Sequence, residues 1–571
     1  ALYASSLAFC SACSKFSITS CVFDSNTASG KGNMTPNDNN GAAIEVTNTD
    51  KAITGTISKT KFTNNKAQYG GAIDICAGTI KITNSKFINN SADVEGGAID
   101  INAANGNPKV TISSSNFINN SAPVGGAICN VHDLTVKGST FINNTPNTIF
   151  NWAGAGGNLN LNIKTFTDLQ NAIGLVTGTL TLNQNIAMTA KEAADFTNGI
   201  TITKDIVIDG KGHTIDAKNL GRIFSIGEGF TVTLTNATLI NGKAVEGGAI
   251  YNDGSLTLSD VKLSDNAADS YGGAVFNNGH LVVGNSVFDS NDIVNRGSAS
   301  VDYGGAAIYN WKEGTLKITN SNFTNNIKNY KNGDNLVGAI TTIGNATVSG
   351  SNFVNNSGRW GGAISATGAE LRKNSSTLTV SNTIFKDNSA LYAGAVYIWG
   401  SNYNIADCVF DNNTAFGKGN MTPNNNNGGA LVVSQVSRFN EPITGTISGS
   451  KFTNNKAQYG GAAYFNKGFV TITDSVFENN IATAEGGAVG FSHASVKDLV
   501  VSINNSSFVG NKAPVAGAIF TNVDSKITNS NFINNSAAKI GGAICNVNDL
   551  TVENSKFVNN TPQAIHNSKE L

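Results

Sequence analysis

One short pattern recurs along most of the chain and limits the folds that the chain can adopt. Each unit has Phe-x-x-Asn, a short gap, Gly-Gly-Ala-Ile, and then an alternating apolar stretch that leads to the next Phe. Successive units are often about 24 or 25 residues apart, a period typical of solenoids. The anchors, each followed at the third position by Asn, are Phe23, Phe62, Phe87, Phe117, Phe141, Leu263, Phe288, Phe323, Phe353, Phe385, Phe410, Phe452, Phe477, Phe508, Phe532 and Phe557.

The segments between anchors predict short β-strands. Stretches such as Leu134-Thr-Val136 and Leu550-Thr-Val552 alternate with period two and are rich in β-formers. Strands this short cannot fold alone, so each must pair with its equivalents in the neighbouring coils. The sequence therefore predicts an all-β fold, a right-handed parallel β-helix made of parallel sheets.

The repeated residues have separate expected roles in each coil. The Asn of Phe-x-x-Asn suits a turn that needs left-handed backbone geometry, and its amide can also bond to the next Asn in a ladder. The Phe rings are expected to stack into an interior column. Gly-Gly-Ala is expected where the chain bends tightly beside neighbouring backbones.

Duplicated segments predict two β-helical segments in tandem. The stretch from Lys61 to Ala72 returns unchanged at Lys451 to Ala462. We therefore predict that residues 1–151 form the C-terminal part of one β-helix domain. Residues 152–199 are predicted to be a linker and the helical N-terminal cap of the next domain, and residues 200–571 a second, longer β-helix.

The predicted cap is a short amphipathic helix in mid-chain. Phe166, Leu169 and Ile173 have helical spacing behind Thr165. Such a helix can cover the open end of a solenoid, which otherwise exposes unpaired strand edges. Because no comparable cap precedes residue 1, we expect that the chain was cut from a tandem array or that another polypeptide covers its first coil.

Composition argues against several classes of partner. Lys and Arg number 38 against 39 Asp and Glu, so the net charge of −1 predicts no nucleic-acid binding. The longest apolar runs are too short to insert into a membrane. The seven cysteines do not form a disulfide framework. Cys10-x-x-Cys13 lacks the second ligand pair that a zinc site needs, so we predict no metal site and no cofactor.

A carbohydrate-active enzyme is the third of three functional hypotheses, because many β-helices are polysaccharide lyases or glycosidases. Glycoside hydrolysis needs two carboxylates that flank one bond, and Asn48-Thr49-Asp50 is only a fragment of a hydrolase signature. A lyase resembling pectate lyase needs a calcium site beside a basic residue, and none of the arginines stands beside an acidic cluster in the sequence. We therefore predict no catalytic residues and no enzyme activity.

Insertions and aromatic residues predict one binding face. The turn after Phe-x-x-Asn is longest at residues 27–40, 292–303, 327–337 and 414–427, and solenoids commonly bind through such loops. Aromatic residues directly before the glycines predict a ligand-binding stripe of Tyr271, Tyr303, Trp360 and Tyr392. The alternative is that each ring only shields the adjacent glycine backbone.

The Gly-Gly-Ala-Ile and Phe-x-x-Asn repeats together resemble the adhesin-like β-helix surface proteins of methanogenic archaea. They also resemble, more distantly, the polymorphic outer-membrane proteins of chlamydiae. The segment from Thr165 to Ile173, with Ile200-Thr-Ile-Thr-Lys-Asp-Ile-Val-Ile-Asp-Gly-Lys-Gly-His-Thr-Ile-Asp216 after it, is similar to the opening of a β-helix domain in the archaeal group. The resemblance implies secretion, extracellular display on the cell surface and a role in attachment.

The predicted function is that of a cell-surface adhesin, a rigid β-helical stalk that attaches to glycans or to other cells. Its expected partners are a glycan or a surface protein of another cell, with further copies of the chain placed end to end. A structural component of the cell envelope or of a filament is the second hypothesis.

Overall fold

A computed structural model describes residues 7–9, 15–28, 41–47, 52–102, 106–152, 156–294, 303–327, 336–368, 376–417, 428–434, 443–491 and 499–567. Among these residues, strands run parallel to their equivalents in successive coils, and one helix is present. The fold is a parallel β-helix, as the repeats predict.

The chain forms two compact units that do not follow a single cut in the sequence. The N-terminal unit contains residues Ala1–Glu192, Ile202–Ile215 and Thr231–Ala237. The C-terminal unit contains residues Ala193–Thr201, Asp216–Phe230 and Thr238–Leu571. The boundaries at residues 151 and 199 stay a prediction.

Each coil contributes strands to three main parallel sheets and, in many coils, a further strand to a short sheet. We name them the long-strand sheet, the Phe sheet, the short sheet and the Ile sheet, in the order in which a coil enters them. Alternation sets which side chains enter the core: in Thr315–Thr319, Leu316 and Ile318 are buried while Thr315 and Lys317 are exposed.

The N-terminal unit has all four sheets. Its long-strand sheet contains Lys15–Thr19, Thr54–Ser58, Thr79–Thr83, Lys109–Ser113, Asp133–Lys137 and Asn158–Asn160. Its Phe sheet contains Val22–Asp24, Lys61–Thr63, Lys86–Ile88, Asn116–Ile118 and Thr140–Ile142, and its short sheet Lys66–Tyr69 and Ser91–Glu95. Its Ile sheet contains Leu7–Phe9, Ile44–Val46, Ile73–Ile75, Ile99–Ile101, Ile128–Asn130 and Ile149–Asn151. Further strands of this unit are Val176–Thr181, Ile186–Ala187, Ile206–Asp209 and Thr231–Thr235. The strands Ile200–Ile202 and Thr214–Asp216 contain residues of both units.

The C-terminal unit repeats the arrangement over more coils. Its long-strand sheet contains Ser255–Ser259, His280–Gly284, Thr315–Thr319, Ala346–Ser349, Thr377–Ser381, Asn402–Ala406, Thr444–Ser448, Gly468–Thr473, Leu499–Asn504, Ser525–Thr528 and Leu550–Glu553. Its Phe sheet contains Thr238–Ile240, Lys262–Ser264, Val287–Asp289, Asn322–Thr324, Asn352–Val354, Ile384–Lys386, Val409–Asp411, Lys451–Thr453, Val476–Glu478, Ser507–Val509, Asn531–Ile533 and Lys556–Val558.

The short strands of this unit form two separate sheets, the first from Lys243–Glu246 to Leu336–Val337 and the second from Ser357–Gly358 to Ser536–Ile540. The short strands are Lys243–Glu246, Ala267–Tyr271, Asp292–Ile293, Tyr303–Gly304, Leu336–Val337, Ser357–Gly358, Ser389–Ala390, Thr414–Ala415, Lys456–Tyr459, Ile481–Glu485, Lys512–Val515 and Ser536–Ile540. The Ile sheet contains Phe224–Ile226, Ile250–Asn252, Val275–Asn277, Ile308–Asn310, Ile340–Thr342, Ile364–Ala366, Val396–Trp399, Leu431–Ser434, Ala463–Phe465, Val489–Phe491, Ile519–Thr521, Ile544–Asn546 and Ile565–Asn567.

The predicted column of rings and the Asn ladder are both present. Within each unit, neighbouring anchor Phe rings stack with centroids 4.5–5.1 Å apart and planes within 12°. The Asn Nδ2 of each coil donates to the Asn Oδ1 of the next at 2.8–3.1 Å. The rings fill part of the interior, and the ladder gives its amide groups hydrogen-bond partners there.

One expectation about these Asn residues is wrong. The left-handed backbone belongs to the residue before each ladder Asn, where φ lies between +52° and +65°. That residue is Asn64 before Asn65, but Asp265 before Asn266 and Gly510 before Asn511. The ladder Asn itself is needed for its amide, which both donates and accepts, and not for its backbone conformation.

The second glycine of Gly-Gly-Ala lies against the next coil. A Cβ at Gly71 would collide with the carbonyl oxygen of Gly97, the equivalent glycine one coil on. The first glycine, Gly70, has a φ of +57°, which favours glycine. The expectation of a tight bend beside neighbouring backbones is therefore confirmed.

The predicted helix spans Phe166–Leu175, with Thr165 as the N-cap and Asp168 completing a capping box. Phe166, Leu169, Ala172 and Ile173 are its buried residues. Within the described part of the chain, no helix has the length and apolar character needed to cross a membrane.

Candidate functional site

The side chain directly after Gly-Gly-Ala-Ile occupies the same register position in every coil. In Ile308–Asn310, the flanking Ile308 and Asn310 face the core, so Tyr309 projects to the other side of the sheet. We call the stack of these positions the outer row. In the C-terminal unit it includes Tyr251, Phe276, Tyr309, Thr341, Ser365, Tyr397, Val432 and Tyr464.

The residue before Gly-Gly leans over the outer row. The Tyr271 ring lies 4.6 Å from that of Tyr309, one coil further along, and the Trp360 ring lies 5.1 Å from that of Tyr397. The aromatic residues before the glycines are therefore packed against a second set of aromatic residues that follow the glycines. The outer row and the residues before Gly-Gly together form one face of the C-terminal unit.

Two aromatic clusters result. The Tyr309 cluster contains Tyr251, Tyr271, Phe276, Tyr309 and Trp311. The Tyr397 cluster contains Trp360, Tyr392, Tyr397, Trp399, Val432, Tyr459 and Tyr464. Between them the outer row carries Thr341 and Ser365, whose hydroxyl oxygens are buried and have no hydrogen-bond partner.

An arginine completes the Tyr397 cluster. Trp360 and Tyr392 stack with centroids 4.4 Å apart and planes 19° apart, and both are half-buried. The Arg359 guanidinium carbon lies 5.2 Å from the Trp360 ring and 6.0 Å from the Tyr392 ring. Cation–π attraction favours this placement. The Nε of Arg359 is buried without a hydrogen-bond partner.

The four residues of the predicted stripe are not equally close. Trp360 and Tyr392 are in direct contact, whereas Tyr271 belongs to the separate Tyr309 cluster. The backbone of Tyr303 pairs with Leu336, but its side chain lies outside the described part of the structure. Of the long insertions, residues 29–40, 295–302, 328–335 and 418–427 also lie outside it.

The N-terminal unit carries acids and a thiol in its outer row, which sequence reasoning missed. Register places Glu45 beside Asp74, Asp74 beside Asp100, and Asp100 beside Cys129. Each follows the Ile of a Gly-Gly-Ala-Ile or related sequence. Comparison of this one position across the coils would have found the row. The prediction from the sequence considered only whether an acidic cluster stands beside an arginine along the chain, so it did not include this row.

Burial and mutual repulsion perturb these carboxyl groups. The pKa of Asp74 is raised well above its ordinary value by burial and then by Asp100. The pKa of Asp100 is raised to about 7 by burial and then by Glu95. Asn102 Nδ2 donates to Asp74 Oδ1 at 2.8 Å, and Cys76 Sγ donates to Asp74 Oδ2 at 3.4 Å. Both carboxyl groups are fully buried.

Sequence comparison gives one short family match. Residues 529–547 match the Chlamydia polymorphic membrane protein repeat. This stretch contains Phe532, Asn535 and a Gly-Gly-Ala-Ile sequence, so it supports the chlamydial part of the resemblance. The resemblance to archaeal proteins stays a prediction.

The chain is also similar to a much longer curated protein. It is 34% identical over 143 residues to metabotropic glutamate receptor-like protein R of Dictyostelium discoideum. The alignment covers 25% of the chain and 8% of that protein.

Comparison with solved structures finds similarities at low identity. A mannuronic acid specific polysaccharide family 6 lyase from human gut microbiota aligns at 11% identity and a TM-score of 0.40, over 69% of this chain and 91% of the lyase. PfbA, a surface adhesin of Streptococcus pneumoniae, aligns at 12% identity and a TM-score of 0.25, over 70% of this chain and 89% of the adhesin. Similarity at this level concerns the fold alone.

Proposed function

We propose that the protein is an adhesin-like protein of the cell surface that attaches to glycans through the Tyr397 cluster. The observation that carries the proposal is the stack of Trp360 on Tyr392 with the Arg359 guanidinium over both rings. The two rings come from consecutive coils, so the coil spacing itself determines their separation.

The chemistry of this group suits a sugar with a carboxylate. The apolar face of a pyranose packs on an indole or phenol ring, which has both an apolar body and a polar edge. A guanidinium beside the rings can bond a carboxylate with two parallel N–H donors. We therefore expect acidic glycans to bind better than neutral ones.

Binding, and not catalysis, is the proposed activity. Of the carboxyl groups that lie side by side in the outer row, those of Asp74 and Asp100 are fully buried and that of Glu45 is half-buried. A glycosidase needs its two carboxyl groups on opposite sides of an accessible bond. We further propose that the partners are glycans or surface proteins of another cell, outside the cell that displays the protein, and that copies of the chain join end to end.

A glycan array that includes uronic-acid polymers tests the proposal, with the wild type beside a Trp360→Ala/Tyr392→Ala variant. Two controls remove aromatic rings outside the Tyr397 cluster: Trp152→Ala, where the side chain is 44% exposed, and Phe469→Ala, where it is 45% exposed. Circular dichroism checks that every variant is folded. We expect loss of binding in the double variant and unchanged binding in both controls.

The Arg359→Gln variant separates recognition of charge from stacking. If the guanidinium bonds a carboxylate, this variant loses preference for acidic over neutral glycans but keeps binding to neutral ones. Equal loss of binding in Trp152→Ala would disprove the assignment of the site. Absence of glycan binding by the wild type would favour a structural component of the cell envelope or of a filament.

A further inference from the structure

Three potential metal ligands converge in the outer row of the N-terminal unit. One oxygen of Glu95, one oxygen of Asp100 and the Sγ of Cys129 all lie within 4.8 Å of one another. Asp100 and Cys129 are register partners in the Ile sheet, and Glu95 precedes the glycines of the Asp100 coil. Glu95 thus leans over the row as Tyr271 and Trp360 do in the other unit.

Asp100 has a carboxylate oxygen with no protein partner. The side chain is fully buried, and its Oδ1 makes no hydrogen bond. Its Oδ2 accepts one from Asn102 Nδ2 at 3.3 Å. Burial and the charge of Glu95 disfavour the charged form of this carboxyl group, whereas hydrogen bonds from Asn102, Cys129 and the Ile101 backbone favour it. No lysine or arginine is among the groups that act on it. A buried carboxylate with one unpartnered oxygen and no positive counter-charge is costly unless a cation is bound.

We propose that Glu95, Asp100 and Cys129 bind a zinc ion. A thiol with two carboxylates matches the mixed sulfur and oxygen ligands that zinc accepts, whereas calcium and magnesium take oxygen ligands alone. Cys129 Sγ lies 3.4 Å from Glu95 Oε2. Two such ligands on tetrahedral zinc are separated by roughly 3.6 Å, from Zn–S and Zn–O bonds of about 2.3 and 2.1 Å.

The surroundings provide support and a path for the ion. Glu95 is only half-buried, so the ion can enter along its side chain. Asn102 holds the second oxygen of Asp100, a contact of the kind that orients metal ligands. With three protein ligands, the fourth position of a tetrahedral site would be available to water.

The chain contains its own control for this site. The sequence Gly125-Gly-Ala-Ile-Cys-Asn130 recurs as Gly541 to Asn546, so Cys545 occupies the position of Cys129. Near Cys545, Val515 occupies the position that Glu95 occupies near Cys129. Phe520, the register partner of Cys545, occupies the position of Asp100. Cys545 is therefore a buried thiol that packs with Ala516 and Phe520, although the charge of Glu485 also acts on it. Because neither register neighbour is an acid, we expect it to bind no zinc.

The test uses the full chain without a histidine tag, in a Cys10→Ser/Cys13→Ser background that removes the Cys-x-x-Cys pair. After equilibrium dialysis against Zn²⁺, metal analysis gives the bound amount. Cobalt(II) is a second probe, since a thiolate ligand produces a charge-transfer band in the near ultraviolet. We expect a single zinc ion per chain and the cobalt band, with both lost in Cys129→Ser and retained in Cys545→Ser.

Glu95→Gln keeps the test decisive if Cys129→Ser fails to fold. Because Glu95 is half-buried, its amide variant should fold, and zinc affinity should fall by at least about tenfold. Three outcomes would overturn the proposal: no zinc bound by the background protein, equal zinc affinity in Glu95→Gln, or loss of the cobalt band in Cys545→Ser.

Discussion

The Asn ladder makes a strong prediction for the Asn356→Ala variant. The Asn356 side chain is fully buried and makes four hydrogen bonds. Its Nδ2 donates to Phe323 O at 2.9 Å and to Asn388 Oδ1 at 3.0 Å. Its Oδ1 accepts from the backbone N of Asn326 at 3.1 Å and from Asn326 Nδ2 at 2.9 Å. Alanine removes all four bonds.

The cost follows from the groups that lose a partner. Asn388 Oδ1 keeps the backbone donor of residue 356. The Phe323 carbonyl, the Asn326 backbone N–H and the Asn326 amide group each lose a hydrogen bond in the interior. At about 1–2 kcal/mol for each such group, the local free energy of unfolding should fall by about 4 kcal/mol. This is at the upper end of single-substitution effects.

The matched control is Asn352→Ala, in the same coil. Asn352 Nδ2 donates to Asn322 Oδ1 at 2.8 Å on the solvent side of the Phe sheet. Loss of this exposed bond should cost less than about 1 kcal/mol. The two variants therefore remove the same atoms from the chain but different numbers of buried bonds.

Hydrogen–deuterium exchange measures the effect coil by coil, which a global unfolding curve of a repeat protein does not. Amides in the coils on either side of residue 356 should exchange about a thousandfold faster in Asn356→Ala than in the wild type. In Asn352→Ala the increase should be less than about tenfold. Similar exchange rates in the two variants would refute the assignment of the stability to the buried ladder.

Two further predictions concern the N-terminal unit. Burial acts to raise the pKa of Glu192, but hydrogen bonds from the N–H and hydroxyl groups of Thr167 and Thr189 outweigh it and lower that pKa to about 2. Because the folded-state pKa is depressed, the stabilisation is present above pH 4.5 and is lost as the pH falls toward 2. The free energy of unfolding should fall by about 3 kcal/mol over this range in the wild type but not in Glu192→Gln. Urea unfolding at several pH values measures this difference. The same pH dependence in both proteins would contradict this account. A Cβ at Gly174 in the helix would meet no atom within 4 Å. Gly174→Ala should therefore raise the melting temperature, because alanine favours the helix by up to about 1 kcal/mol over glycine. A lower melting temperature would show that the backbone at this position is constrained in another way.

Local sequence was enough to predict the coil, because its framework uses the same residues each time. The Phe column, the Asn ladder and the helix after Thr165 all follow from spacing and residue type. The residue with left-handed backbone was assigned one position too late. In Asn-Asn pairs such as Asn64-Asn65, the sequence does not distinguish the residue with positive φ from the residue whose amide forms the ladder. Asp265 and Gly510 resolve this, because the position before the ladder varies among residues that tolerate positive φ.

The site was harder to predict because its members come together only through register. Glu95 and Cys129 are 34 residues apart in the chain. Their contact depends on the tilt of the residue before Gly-Gly toward the next coil. The same tilt places the Trp360 ring against the Tyr397 ring. Reading each coil by itself finds both residues of such a pair but not their contact.

The hydrogen bonds of the ladder all point the same way: each Asn amide donates toward the later coil and accepts from the earlier one. A whole coil can therefore be inserted into or deleted from the array by recombination. The ladder Asn residues of the two coils that become neighbours still meet as hydrogen-bond donor and acceptor, so no other residue has to change. The identical stretch at Lys61 to Ala72 and Lys451 to Ala462 is consistent with such exchange. Gene-level changes in length should then occur in steps of whole coils, while outer-row residues change one coil at a time.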